Sequence, residues 1–167
     1  IKKQLTDFPK HYHETFCISL IHSGMERIDL DEKSIYSGAG SITITNPYEI
    51  HSNPLIDPDL DVNFDTIYIS KDVMKYELKG ENIFFDKRII NDHYANQLFI
   101  RLRNAIDLNN AKAINDLLIQ FASVLKAYSK QKTEDYTELN PTKFEKVNSY
   151  IEDHITDKFD LEQLSKI

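Results

Sequence analysis

The sequence predicts an α+β protein: a small β-barrel, then an α-helical hairpin, then the opening of a further helical segment. Three observations lead there. Up to about Ser70 the segments are short, rich in Ile, Tyr, Phe and Thr, and broken by turn residues, which is the pattern of strands. After Asp72 the apolar residues recur at helical spacing instead. Three histidines, His11, His13 and His51, fall at the ends of expected strands, where polar groups can point into a barrel.

The strands are expected at Phe16 to His22, Met25 to Leu30, Ser34 to Tyr36, Ser41 to Thr45 and Phe64 to Ser70. Between the first two, Ser23-Gly24 supplies the turn, glycine taking a positive φ without steric cost. In Ser41 to Thr45, Ile42 and Ile44 alternate with hydroxyl residues, the period-two signature of one buried face. Asn46-Pro47 ends that strand, because proline cannot donate to a ladder. The acidic run Asn53 to Asp61 carries two prolines and no EF-hand spacing, so it reads as a connection.

In the helical half, Asp92 is placed to cap a helix on which Tyr94, Leu98, Leu102 and Ile106 share a face widened by Phe99. Asn109 or Asn110 starts the next, with Ile114, Leu117, Leu118, Phe121 and Leu125 as its stripe. A connection of about four residues makes the pair an antiparallel hairpin. Ser129 to Leu139 has no periodicity and reads as a linker. Pro141, at a favoured first helical position, opens a helix with Phe144, Val147, Tyr150 and Ile151 on one face up to about Ile155. Asp160, with Gln163 as capping-box partner, opens another that the chain leaves at Ile167. The domains expected are 1–90 for the barrel, 91–130 for the hairpin, 131–140 for the linker and 141–167 for the start of a further domain.

Composition narrows the function. At 167 residues the chain can bury a core without staples, and a lone Cys17 makes no internal disulfide, which fits a reducing, cytoplasmic compartment. No apolar run reaches the ~18 residues that span a bilayer. A net charge of −7 argues against this piece gripping a phosphate backbone alone, and residues 141–167 carry four lysines against six acidic residues. The opening on Ile1 rather than Met, and the stop inside an expected helix, read as a cut from a longer protein.

If extended geometry begins by His11, then His11, His13 and Cys17 point into the barrel together, and His51 arrives from a neighbouring strand. Three imidazoles could hold Fe, Mn or Zn; they could equally be rim residues of an organic-ligand pocket, with Ile42 and Ile44 inward and Tyr48 and Tyr68 as walls. Ile42 and Ile44 also fit plain core packing. No Ser-His-Asp triad or phosphate-binding glycine loop points to catalysis.

HYHETFCISLIHSG followed by GAGSITITNPYEIH resembles the two motifs of the cupin superfamily, with Cys17 where metal-binding members usually carry a glutamate and Gly24 seven residues on. With FFDKRIINDHY and NSYIEDHITDKFDLEQLSKI added, nearly the whole chain resembles an AraC-type transcriptional regulator, YIEDHI and FDLEQLS being the telling residues. The resemblance implies a cupin-like β-barrel that senses a small-molecule effector, no cofactor and no enzymatic activity, and a truncated start of a helix-turn-helix domain. Such a protein would bind DNA through a region beyond Ile167, where the recognition helix belongs. It also implies a homodimer, for which Leu98, Leu102, Leu117, Phe121 and Leu125 offer apolar surface, although the same stripe can instead cover the hairpin's own interior or the barrel. The alternative is a metal-dependent cupin enzyme using His11, His13 and His51.

Overall fold

The computed structural model describes residues 2–31, 33–57, 61–131 and 141–154. The chain divides into two compact units, Ile1–Lys132 and Thr133–Ile167. In the first, the strands are β1 (Lys2–Gln4), β2 (Phe8–His11), β3 (Thr15–Ser23), β4 (Met25–Leu30), β5 (Ser34–Gly38), β6 (Ile42–Thr45), β7 (His51–Asn53) and β8 (Val62–Ser70). Helix α1 (Lys71–Glu77), strands β9 (Ile83–Phe84) and β10 (Ile89–Ile90), helices α2 (His93–Asp107) and α3 (Ala111–Lys126) and strand β11 (Lys130–Gln131) follow. One sheet has the order β1-β8-β3-β6-β10, a second β2-β7-β4-β5, and β9 with β11 forms a short ladder. All these strand pairings are antiparallel.

The five-stranded sheet packs one face on the helices and turns the other to a cavity. Phe16, Ile18 and Leu20 of β3, Ile42 and Ile44 of β6, and Ile67 and Ile69 of β8 share one cluster with the helices' Leu98, Phe99, Leu102, Leu117, Phe121 and Leu125. The alternate residues of the same strands, Cys17 and Ser19, Thr43 and Thr45, Thr66 and Tyr68, line a cavity on the opposite face. Pairing in register, with Ile18 opposite both Ile44 and Ile67, keeps the apolar set in one layer. Ile21, Val62 and Phe64 form a smaller apolar cluster at one end of the cavity face.

The helices start where their caps dictate. Asp92 Oδ1 accepts from the backbone N–H of Tyr94 at 2.8 Å and of Ala95 at 3.0 Å, and Asn110 Oδ1 accepts from Ala113 N–H at 3.1 Å. Of the two asparagines at the turn, then, Asn110 is the cap, while Asn109 takes a φ of 50° in the connection. The buried face of α2 is Ala95, Leu98, Phe99, Leu102 and Ala105. Tyr94 and Ile106, expected on that stripe, are 51% and 44% exposed. The five residues nominated for a dimer contact lie inside the unit's own core, so the hairpin's stripe is spent on the sheet.

Helix α1, absent from the expectation, is capped by Ser70 and anchored by the buried Met74 alone, too little periodicity to read. In the second unit, α4 (Pro141–Asp153) begins at the expected proline, and the His154 ring stacks on Tyr150 at 4.2 Å. Of the expected linker, Ser129 to Leu139, Lys130–Gln131 forms β11, while residues 132–140 and the helix start at Asp160 lie outside the described residues.

The turn between β3 and β4 leaves no room for a side chain. Gly24 has a φ of +80°, and a Cβ there would sit 2.3 Å from the carbonyl oxygen of Asp61. Gly24→Ala is expected to destabilise the protein by about 2 kcal/mol or more, combining left-handed strain with a backbone clash. Thermal unfolding should show a midpoint several degrees lower; an unchanged midpoint would mean that the close approach of β8 to this turn contributes nothing.

Candidate functional site

The cavity between the two sheets has a volume of about 260 Å³. Its walls come from β3, β6 and β8 on one side and β2, β4 and β7 on the other, with Phe8, Ile28 and Phe64 as its apolar members. Five of the residues singled out from sequence lie on it: His11, His13, Cys17, His51 and Tyr68. Ile42 and Ile44 do not; they face the helical hairpin, and the hydroxyls of Thr43 and Thr45 take the inward places. The reason is period two on a sheet whose apolar face is claimed by the helices. Tyr48 is also outside, 59% exposed in the turn after β6 with a φ of 64° and its ring 6.2 Å from that of Tyr12.

The histidines meet, though not by alternation along one strand. Strand β2 ends at His11, His13 lies in the break before β3, and His51 is the cross-strand partner of His11 in the β2–β7 pair. Ring centroids are 4.3 Å apart for His11 and His51, 4.9 Å for His11 and His13, and 5.3 Å for His13 and His51. One ring nitrogen from each lies within 4.8 Å of the others. Burial holds the His51 and His13 rings below the usual imidazole pKa, and the neighbouring rings add to it, so both are neutral at pH 7.

Two backbone carbonyls set the tautomers. His11 Nδ1 lies 2.6 Å from the carbonyl oxygen of Pro9 and His51 Nδ1 lies 2.9 Å from that of Glu49. A carbonyl only accepts, so in the neutral rings Nδ1 carries the hydrogen and Nε2 the lone pair. The residue presenting that second carbonyl is itself held: Glu49 pairs with Arg88, whose side chain also donates to the carbonyl of Phe85. Asn46 accepts from Phe85 N–H at 2.9 Å and donates back to its carbonyl at 3.0 Å, which closes this brace.

Sequence reasoning missed the charged residue of the site, Glu26. It is 5% exposed and lies on the same face of β4 as Ile28, inside the cavity. Thr43 Oγ1 donates to Glu26 Oε2 at 2.9 Å and Asn53 Nδ2 to Oε1 at 3.1 Å. Burial pushes the carboxyl up to about 7, against the pull of those two donors. The usable signal was parity: in MERIDL, Glu26 shares its face with Ile28 and Leu30. Cys17 behaves as a neutral wall residue, its thiol raised to about 11 by burial and so protonated at pH 7.

Three imidazoles could hold a divalent ion. Bonds of about 2.0–2.1 Å to zinc put tetrahedral ligand nitrogens roughly 3.4 Å apart, so the observed spread of up to 4.8 Å must contract on binding. Without an ion, the site is a small polar chamber offering hydrogen-bond acceptors, hydroxyls and aromatic faces.

Residues 2–122 match the family described as AraC-like ligand binding domain. No curated protein gives a significant sequence match. The solved structure of the AraC-like transcriptional activator CuxR aligns at 11% identity over 91% of this chain and 55% of its own, with a TM-score of 0.50. ToxT from Vibrio cholerae strain SCE256, bound to an unsaturated fatty acid, aligns at 14% identity over 98% of this chain and 63% of its own, with a TM-score of 0.54. ToxT from Vibrio cholerae O395, bound to (E)-4-(8-methylnaphthalen-1-yl)but-3-enoic acid, aligns at 17% over 98% and 69%, with a TM-score of 0.53. At such identities the likeness is one of fold, and the chain spans only about 55–69% of these proteins' length.

Glu26 makes stability depend on pH in a stated direction. Its folded-state pKa of about 7 lies above the ordinary 4.5, so between those values the folded protein holds the extra proton and stability falls as pH rises. Above pH 7 the penalty reaches about 3 kcal/mol. Glu26→Gln, whose amide can accept from Asn53 and donate to the Thr43 hydroxyl, removes it. Urea unfolding should show the variant gaining stability over the parent from pH 5 to 8 and little difference near pH 4.5; a gap independent of pH would contradict the burial argument.

Proposed function

Since the chain belongs to the AraC-like ligand binding domain family, we propose that it is the effector-sensing region of an AraC-type DNA-binding transcriptional regulator that acts in the cytoplasm and is not an enzyme. The observation that carries this reading is the central sheet: one face lines the cavity and the other packs on the helical hairpin. A ligand drawn against Cys17, Thr43 and Thr66 presses on strands whose adjacent residues, Ile18, Ile42 and Ile67, lie in one core with Leu98 and Phe99. Occupancy of the cavity thereby biases the position of the helices, and through them a DNA-binding region. No described helix is long and apolar enough to cross a membrane.

A homodimer is part of the proposal, with its contact on the hairpin's outer face. Ile100 and Ile119 remain 44% and 43% exposed there, whereas the stripe expected from sequence is buried. Ile100→Asp should therefore shift a dimer toward monomer in sedimentation while leaving folding intact, and Leu98→Asp should unfold the domain. A folded Leu98→Asp monomer would restore the inner stripe as the contact.

A second reading, a metal-dependent cupin enzyme, is favoured by the clustering of His11, His13 and His51. One tightly bound metal per chain, lost in His11→Ala and His51→Ala, would select it. For the regulator, a metabolite that binds only the folded protein stabilises it by about 2.7 kcal/mol at one hundred times its Kd. The expected result is a metabolite hit whose thermal shift is lost in His51→Ala, together with effector-dependent enrichment of the full-length protein at discrete promoters. Absence of promoter enrichment in the presence and absence of that effector would overturn the regulator.

A further inference from the structure

We propose that the cavity takes a small organic cation, a ligand bearing a primary ammonium group, with Glu26 as its counter-charge. This rests on the effector-binding reading of the same cavity and adds the ligand's chemistry. Glu26 is buried, lines the cavity, and accepts one bond at each carboxylate oxygen from a neutral donor, Thr43 and Asn53. An ionised carboxylate can accept about four. Among the described residues lining the cavity there is no Lys or Arg. A carboxylate taken out of water is compensated either by a proton, as Glu26 is at lower pH, or by a cationic partner, because two neutral hydrogen bonds do not replace its hydration. The chain leaves that partner to be supplied by a guest.

The rest of the chamber fits the same guest. With Nδ1–H of His11 and His51 directed at the carbonyls of Pro9 and Glu49, each ring keeps Nε2 as an acceptor. A carboxylate and two imidazole nitrogens are a set of acceptors, and an alkylammonium brings three donors and a charge. The aromatic residues Phe8, Phe64 and Tyr68 also line the space, and an aromatic ring presented face-on attracts a desolvated cation. A carboxylic acid would meet Glu26 with no cation between them, and a neutral diol would leave the charge uncompensated. At about 260 Å³ the cavity lies below the usual range for drug-sized ligands, which sets the guest as small.

The test uses the 167-residue chain and three probes matched in length: 4-aminobutan-1-ol, 1,4-butanediol and 4-hydroxybutyrate. Binding is followed by NMR at the cavity histidines and by calorimetry at about pH 8. The amino alcohol is expected to bind at least about tenfold more tightly than the diol, a difference of 1.4 kcal/mol. Glu26→Gln should abolish that preference, the amino alcohol then binding no more tightly than the diol. Thr66→Lys, which places a cation inside the chamber, should abolish amine binding in a domain that still unfolds cooperatively. The proposal is overturned if the diol or the acid binds as well as the amine, or if the preference survives Glu26→Gln. It is also overturned if added Zn²⁺ occupies the histidines stoichiometrically while no amine binds. In the first case the effector reading stands with a different ligand class. Silence toward all three probes overturns the ammonium guest, and the effector reading then stands or falls on whether a metabolite raises the melting temperature through His51.

Discussion

Two unlike surroundings meet at one sheet, and each strand of that sheet must satisfy both. Along β3, β6 and β8 every second residue lies in the apolar layer beneath the hairpin, and those between face the cavity. The polar face is kept in register by bonds that run across it: Ser19 Oγ lies 2.8 Å from Thr66 Oγ1, and Thr43 reaches over to Glu26 on the opposite sheet. Without the hairpin, the row of isoleucines would stand in water, a patch of the size that drives aggregation. The helices are thus a structural requirement of the cavity-bearing sheet, whatever else they do.

This constraint also explains which parts of the molecule were legible in the sequence. The hairpin was, because its signals are local: Asp92 and Asn110 cap their helices by bonds that span three residues. The strands from Phe16 to Thr45 were, because they are short, rich in β-formers and broken by turn residues, with period two plain in Ser41 to Thr45. The face that each strand turns to the cavity was not. Period two says that Ile42 and Ile44 share a side; it does not say whether that side holds ligand or helices, and the assumption that apolar means inward placed them wrongly. The same ambiguity left Leu98, Leu117 and Phe121 open between the unit's own core, where they lie, and a dimer contact, since a stripe on a helix does not declare what it covers.

The site shows the corresponding limits. His11, His13 and His51 could be nominated from residue type and position, but their meeting depends on a strand pair, β2 with β7, of which each member is four residues or fewer. Glu26 escaped notice because a glutamate in a strand reads as a solvent-facing residue; only its parity with Ile28 spoke for burial. The brace of Arg88, Glu49, Asn46 and Phe85 joins residues about forty positions apart, a distance at which no spacing rule operates. Yet it fixes the carbonyl that decides which nitrogen of His51 carries a proton.

Because cavity wall and helix contact are written on alternate residues of the same strands, the two can change separately. Replacing Thr43, Thr45 or Thr66 alters what the chamber prefers while Ile42, Ile44 and Ile67 go on holding the helices as before. On the proposed reading, a lineage carrying this domain could exchange one inducer for another by single substitutions, without relearning how occupancy is transmitted. Divergence in such a family should therefore accumulate in a two-residue rhythm, fast on the threonine positions and slow on the isoleucines beside them.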